Sequence, residues 1–394
     1  MRIKPFVCLR PLPERVGEFA SLPYDVFTDD QARSYVADHP TSFLGIDRPE
    51  TGFEPGHDPH APEVYEHARA LLEERLADST LIADDEPCLY IYELASSTHC
   101  QTGLLSTVFA EDYRNGTIRR HELTLSAKEQ DRVNHIRTTG AQTGPVFLAY
   151  RDSDAIDAIV AQAKAADPLY DFVSSDGVHQ RVWRVSQPET LRALQDAFEQ
   201  VSCAYIADGH HRAAAAVKVA EQGSEAAQTF LCALFPAQQL QILAYDRIIA
   251  DTANMSKDEL MDAVAAAGFE LCETDASDPL PTVKGQVGMY AFGSWCNLRM
   301  SEAAGELDVA YLQERLLDPV LGIQNPRTDS RISFAGGAKA SELEQLAGEQ
   351  GMAFALFPTS LDELMGIADK GGLMPPKSTW FDPKLQSGLV LRQI

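Results

Sequence analysis

Cys203-Ala-Tyr-Ile-Ala-Asp-Gly-His-His-Arg-Ala-Ala-Ala-Ala216 passes from an apolar run, through a polar cluster, into alanines. It reads as strand, tight turn and helix. Gly209 supplies the backbone freedom of a sharp turn, and Ala213 to Ala216 with Val217, Val219 and Ala220 favour a closely packed helix. The polar residues Asp208, His210, His211 and Arg212 therefore fall where a strand ends and a helix begins, the place where α/β folds gather ligands. The first turn of a helix presents unpaired N–H groups that stabilise anions. Arg212 adds a planar fork of donors for phosphate or carboxylate, and Asp208 suits a cation or a proton. In the plainer alternative Asp208 only caps the helix, both histidines are turn residues, and Arg212 makes a surface ion pair.

At 394 residues the chain is long enough for two or three domains, and its 45% hydrophobic content is ordinary for a globular protein. There is no apolar run of bilayer length and no signal-peptide core after Met1, so a soluble cytoplasmic protein is expected. Seven cysteines are scattered without a Cys-x-x-Cys pair, which fits reduced thiols and indicates no zinc site. The net charge of −25 argues against nucleic acid or an anionic membrane as partner. A small anionic substrate or nucleotide would need a locally basic pocket.

One segment is a candidate for such a pocket, the alternative being a surface stripe neutralised by acids elsewhere. Between Arg114 and Arg137 six Lys or Arg stand against three Asp or Glu. Lys128, Arg132 and His135 share a helix face, beside a strand end carrying Arg119, Arg120, His121 and Glu122. Glu122 among cations stays ionised and is the candidate base. Ser126 and Glu129 have capping-box spacing, so a helix starts near Ser126. Asn115-Gly116 signals a hairpin between strands at 104–110 and 117–122, and Asp176-Gly177 signals another. Helical periodicity covers 62–77. Tyr24 and Asp25, in a proline-rich entry segment, are further candidates to line a site.

These elements predict an α+β (mixed α/β) fold. It has a central mixed sheet bearing the strand-turn-helix, and a second α/β domain at the C-terminal end. The domains are expected at 1–85 (entry segment and a helix packing on the core), 86–251 (central phosphate- or nucleotide-binding domain) and 252–394, which contributes the loops of Arg327 and Lys377. Lys377-Ser-Thr379 lacks the glycines of a phosphate-binding loop, and no G-x-G-x-x-G, H-E-x-x-H or G-x-S-x-G occurs.

Leu22-Pro-Tyr-Asp-Val26, Arg119-Arg-His-Glu-Leu-Thr124 with Lys128-Glu-x-Asp-Arg132, Ile206-Ala-Asp-Gly-His-His-Arg212, Asn325-Pro-Arg327 and Met374-Pro-Pro-Lys-Ser-Thr-Trp-Phe381 together resemble a large prokaryotic family, DUF1015, whose function is undefined. The Asp-Gly-His-His-Arg turn also resembles the nucleotide-site motif of the ParB, sulfiredoxin and free serine kinase superfamily. Sulfiredoxins require a cysteine in this turn, where this chain has Ala207 and Asp208, and partition proteins need a basic DNA-binding helix-turn-helix.

The resemblance implies a phosphotransferase, most simply a kinase for free L-serine or a similar hydroxyl metabolite, with ATP, ADP or pyrophosphate as donor. Arg212, His210 and His211 would contact phosphates, Asp208 would place Mg²⁺, and Glu122 would accept the hydroxyl proton. Arg119, Arg120, Lys128 and Arg132 would offset the charge of the transferring group, with His121 and His135 as further candidates to bind phosphate or substrate. The alternatives are a non-catalytic nucleotide or phosphometabolite sensor and a phosphoester hydrolase.

Overall fold

Nearly continuous apolar runs build the main sheet. Its strands are β1 (Ile3–Lys4), β2 (Leu89–Ala95), β3 (Cys100–Phe109), β4 (Ile118–Arg119), β5 (Val146–Tyr150), β6 (Tyr170–Val173), β7 (His179–Val185), β8 (Ala204–Asp208) and β9 (Thr229–Pro236). Every residue of β5 and β9 is buried, the signature of strands covered on both faces. The order is β4-β8-β5-β9-β3-β2-β7-β6, with β1 pairing β3. The β4–β8 and β5–β9 pairs are parallel and the others antiparallel, so the sheet is mixed, as expected.

Four helices matter for the site: α1 (Leu44–Asp47), α2 (Pro62–Ala77), α3 (Ser126–Thr139) and α4 (His210–Gln222). Helix α4 is buried on two sides, which explains its alanines. Ala213, Ala216, Val217 and Ala220 join the core of the sheet, while Ala215 and Val219 pack on Val133 and Ile136 of α3. Small side chains let a helix approach two neighbours at once. None of the described helices is long and apolar enough to cross a membrane.

The computed structural model describes residues 1–272, 279–301 and 307–394. The chain forms two units, Met1–Leu240 with Pro383–Ile394, and Gln241–Asp382. The divisions thus fall at 240 and 382, whereas composition placed them at 85 and 251. Residues 1–85 join the first unit through β1 and through the bridges of Phe6 with Cys88 and of Leu9 with Leu391. The second unit holds a six-stranded antiparallel sheet in the order Phe269–Cys272, Ser294–Met300, Gln286–Ala291, Met352–Leu356, Tyr245–Ile249, Ile332–Gly336. Its first and last segments, Gln241–Leu243 and Trp380–Asp382, pair with each other.

Two local expectations are corrected. Asn115-Gly116 does not turn a hairpin: β3 runs into one helical turn, Ala110–Arg114, which ends on Asn115, and β4 pairs with β8 instead of β3. Gly116, at φ +81°, serves as the left-handed exit of that turn. Strand β4 has only two residues, so Arg120, His121 and Glu122 lie beyond it and not in a strand over 117–122. Helix α3 does start at Ser126, yet without a capping box, because the Glu129 carboxylate accepts from the Thr124 hydroxyl and pairs with Lys218. The hairpin at Asp176-Gly177 and the helix over 62–77 form as read.

Candidate functional site

Strand β8 delivers Asp208 to its end, where the pairing with β5 shifts register between Ile206 and Asp208. Gly209 follows at φ +90°, and α4 begins at His210. Asp208 does not cap this helix; Gly209 holds the N-cap position and no side-chain cap bond is made. Instead Asp208 Oδ1 accepts the Gly209 N–H at 2.7 Å, and Oδ2 accepts from the Lys384 ammonium at 3.1 Å. Arg212 Nη2 lies 4.0 Å from Oδ1. Burial alone would raise the carboxyl pKa, but Lys384 and Arg212 hold it far below the usual range, so Asp208 is ionised.

The basic segment and the turn meet in space. Arg119 of β4 stands opposite Tyr205 of β8, and its guanidinium lies 5.9 Å from that ring. The His121 and His210 rings pack edge-on, 4.5 Å apart, and the Leu125 N–H donates to His211 Nε2 at 3.0 Å. Helix α3 lies along α4, where Lys218 reaches Glu129.

These contacts alter the roles expected of the histidines. His121 and His210 are buried, and desolvation lowers both pKa values, His121 to about 4 and His210 well below normal. They are neutral packing partners, so neither brings positive charge to a phosphate. His211 Nε2 is an acceptor, which places a neutral ring's proton on Nδ1.

Beside Arg212 opens a small cleft, lined among others by Tyr24, Asp47, Arg132, His135, Thr143 and Arg212. Arg132 comes from α3 and Arg212 from α4, so helix packing alone brings the two guanidiniums to one space. Asp131 accepts from Arg132 Nε at 3.0 Å, and Tyr65 of α2 donates to the same carboxylate at 2.8 Å, which orients Arg132. The Arg132 guanidinium lies 4.8 Å from the Tyr24 ring and 3.7 Å from Asp47 Oδ1. Desolvation raises the Tyr24 pKa to about 12 against the pull of Arg132, so the phenol stays protonated. His135 Nε2 donates to the Ile46 carbonyl at 2.9 Å, pinning α1 and hence Asp47. Arg212 reaches the Pro145 carbonyl past Gly144, where a Cβ would come within 3.3 Å of its Nη1.

Of the expected residues, Tyr24, Arg132, His135 and Arg212 line this cleft. Asp25, Arg120 and Lys128 are exposed, and Glu122 is half-buried on the irregular segment after β4, outside the lining. Arg327 and Lys377 belong to the second unit. Sequence reading missed Asp47, Thr143 and Lys384. Thr143-Gly-Pro145 before β5 carried a turn signal that marks Thr143; Asp47 and Lys384 carried none, since their partners are remote in sequence.

The Mg²⁺ expected at Asp208 meets a poor donor set. Both carboxylate oxygens already accept hydrogen bonds, one from an ammonium, and among the described residues no group of three or more His, Cys, Asp or Glu could hold a metal ion. Such sites more commonly combine one or two free carboxylates with phosphates and water.

Residues 3–318 match the family model described as a protein of unknown function, DUF1015. The chain belongs to this family. No curated protein matches this DUF1015 member. Among solved structures it is similar to a free serine kinase variant in complex with ADP, at 12% identity and a TM-score of 0.37, over 70% of this chain and 87% of that one. It is likewise similar to SbnI with C-terminal truncation from Staphylococcus aureus (12% identity, TM-score 0.39, 72% and 87% covered). A third similar structure is a conserved hypothetical protein from Pyrococcus furiosus (13% identity, TM-score 0.35, 72% and 95% covered).

Proposed function

We propose that this DUF1015 chain is a small-molecule phosphotransferase whose donor phosphates lie in the cleft between Arg132 and Arg212. The observation that carries this is the convergence of two guanidiniums, one from each of two packed helices, on one small cleft in a protein of net charge −25. Guanidinium forks match phosphate oxygens, and phosphoryl transfer depends chiefly on positioning and charge stabilisation. The donor is a nucleotide, ATP or ADP, or pyrophosphate. The acceptor is free L-serine or a similar hydroxyl compound, an assignment that rests on the motif resemblance.

Asp47 replaces Glu122 as the base, because it is the carboxylate that lines the cleft. Thr143 Oγ1 donates to Asp47 Oδ1 at 3.0 Å and fixes its orientation. The acceptor hydroxyl would give its proton to Asp47 while its oxygen bonds to the terminal phosphorus. The bridging P–O bond breaks, and its electron pair leaves on the departing phosphate. Mg²⁺ on Asp208 has no part in this scheme, since Lys384 stands on that carboxylate.

The test is to incubate the full chain with serine and each of ATP, ADP and pyrophosphate, following phosphoserine by ³¹P NMR. Asp47→Asn is expected to lower the rate about 100-fold or more, the scale of general-base catalysis, with Glu122→Gln near wild type. The reverse ranking would return the base to Glu122. Ligand binding without any turnover would favour the sensor instead.

A further inference from the structure

A second cavity opens elsewhere in the first unit, lined by β3 and by the helix Asp154–Ala163 that follows β5. It measures about 140 Å³, and cavities near that size hold a molecule of benzene's bulk. It shares no lining residue with the cleft beside Arg212.

Asp157, Val160, Ala161 and Lys164 reach it from one face of that helix, with Asp157 and Lys164 about 10 Å apart along the axis. Leu104 of β3 adds to the apolar wall. At the Lys164 end charge is matched within the protein. The ammonium pairs with buried Glu93 and donates to Thr102 Oγ1 at 3.3 Å, and the Thr102 N–H donates to Gln239 Oε1 at 2.8 Å.

At the Asp157 end charge is not matched. Among the described residues the Asp157 carboxylate has no ion-pair or hydrogen-bond partner, and burial, then Asp152 and Asp154, raise its pKa. Acids in the first turn of a helix are ordinary, but the hydroxyl beside them is not. Tyr150 is 2% exposed and lines the cavity, and its phenol interacts electrostatically with Asp157 and Asp152. Among the described residues nothing hydrogen-bonds that phenol, whereas buried tyrosine hydroxyls usually have a partner. A positively charged donor suits both groups. A metal ion does not, because among the described residues no group of three or more His, Cys, Asp or Glu could hold one.

We propose that this cavity binds a small organic ammonium compound, an alkylamine or amino alcohol, with its charged nitrogen between Asp157 and Tyr150 and its carbon stem along Val160 and Leu104. The N–H donors reach carboxylate and phenol oxygens, and the stem covers apolar wall. This assignment does not rest on the phosphate cleft.

Propylamine is the probe, titrated into the full chain and followed by ligand-observed NMR beside propanol and propionate, which remove or reverse the charge on the same stem. Propylamine should bind, propanol about tenfold more weakly or worse, and propionate not at all. Asp157→Asn, a conservative change at a half-buried position, should lose about tenfold or more in propylamine affinity, and Tyr150→Phe about threefold to tenfold. Asp38→Asn, which removes an exposed carboxylate from another helix, should change nothing and so separates site binding from general attraction to an acidic protein. No propylamine binding to wild type, equal binding of propylamine and propanol, or wild-type affinity in Asp157→Asn would each overturn the proposal.

Discussion

His121 and His210 pack on each other beside the Asp208 turn without carrying charge, and that has a consequence for stability. The folded pKa of His121 is lowered to about 4 by burial, below the unfolded value of about 6.5. Between these values the unfolded chain holds a proton that the folded chain lacks, so stability present above pH 6.5 is lost as pH falls towards 4. The loss should approach about 1.4 kcal/mol per pH unit for one such histidine. Urea midpoints at pH 7 and pH 5 should separate further for wild type than for His121→Gln; parallel shifts would show that His121 does not titrate this way. At this scale the sequence was partly legible. Residue types at 119–135 and 208–212 picked out two segments that do meet, but type alone could not show that His121 and His210 face each other. Asp47 and Lys384 were illegible, because Asp47 meets Thr143, and Lys384 meets Asp208, only after distant segments have folded together.

Helices α3 and α4 set the distance between Arg132 and Arg212, and their contact is made by small side chains. Ala215, fully buried between Val133, Ile136 and Val219, leaves no room for growth. Ala215→Leu should therefore cost about 1–3 kcal/mol through overpacking. It should also weaken pyrophosphate binding, since the helices must separate. Urea denaturation and calorimetry check both effects, and an unchanged affinity would mean that the cleft does not depend on this packing. Elements were the most legible level, because periodicity is written locally: the alanine-rich helix, the 62–77 helix and the 176–177 hairpin all appear where read. The Asn115-Gly116 reading failed for an equally local reason. A positive-φ glycine marks a change of direction and says nothing about which strand comes next to which.

Across the whole molecule, composition foretold more than one unit but not their limits. The chain leaves the first unit at Leu240 and returns at Pro383, and no local signal marks a return over that separation. The mixed sheet was legible as a class from its apolar runs, whereas its strand order depends on long-range pairing. The net charge of −25 gives the local basic cleft its significance. Calorimetric titration of ADP into wild type, Arg132→Met and Arg212→Met at low and physiological salt tests the central claim most directly. Wild type should bind more weakly as salt rises, and each substitution should cost about tenfold or more in affinity while reducing that salt dependence. ADP binding that is equal in all three proteins and indifferent to salt would contradict a phosphate site between Arg132 and Arg212.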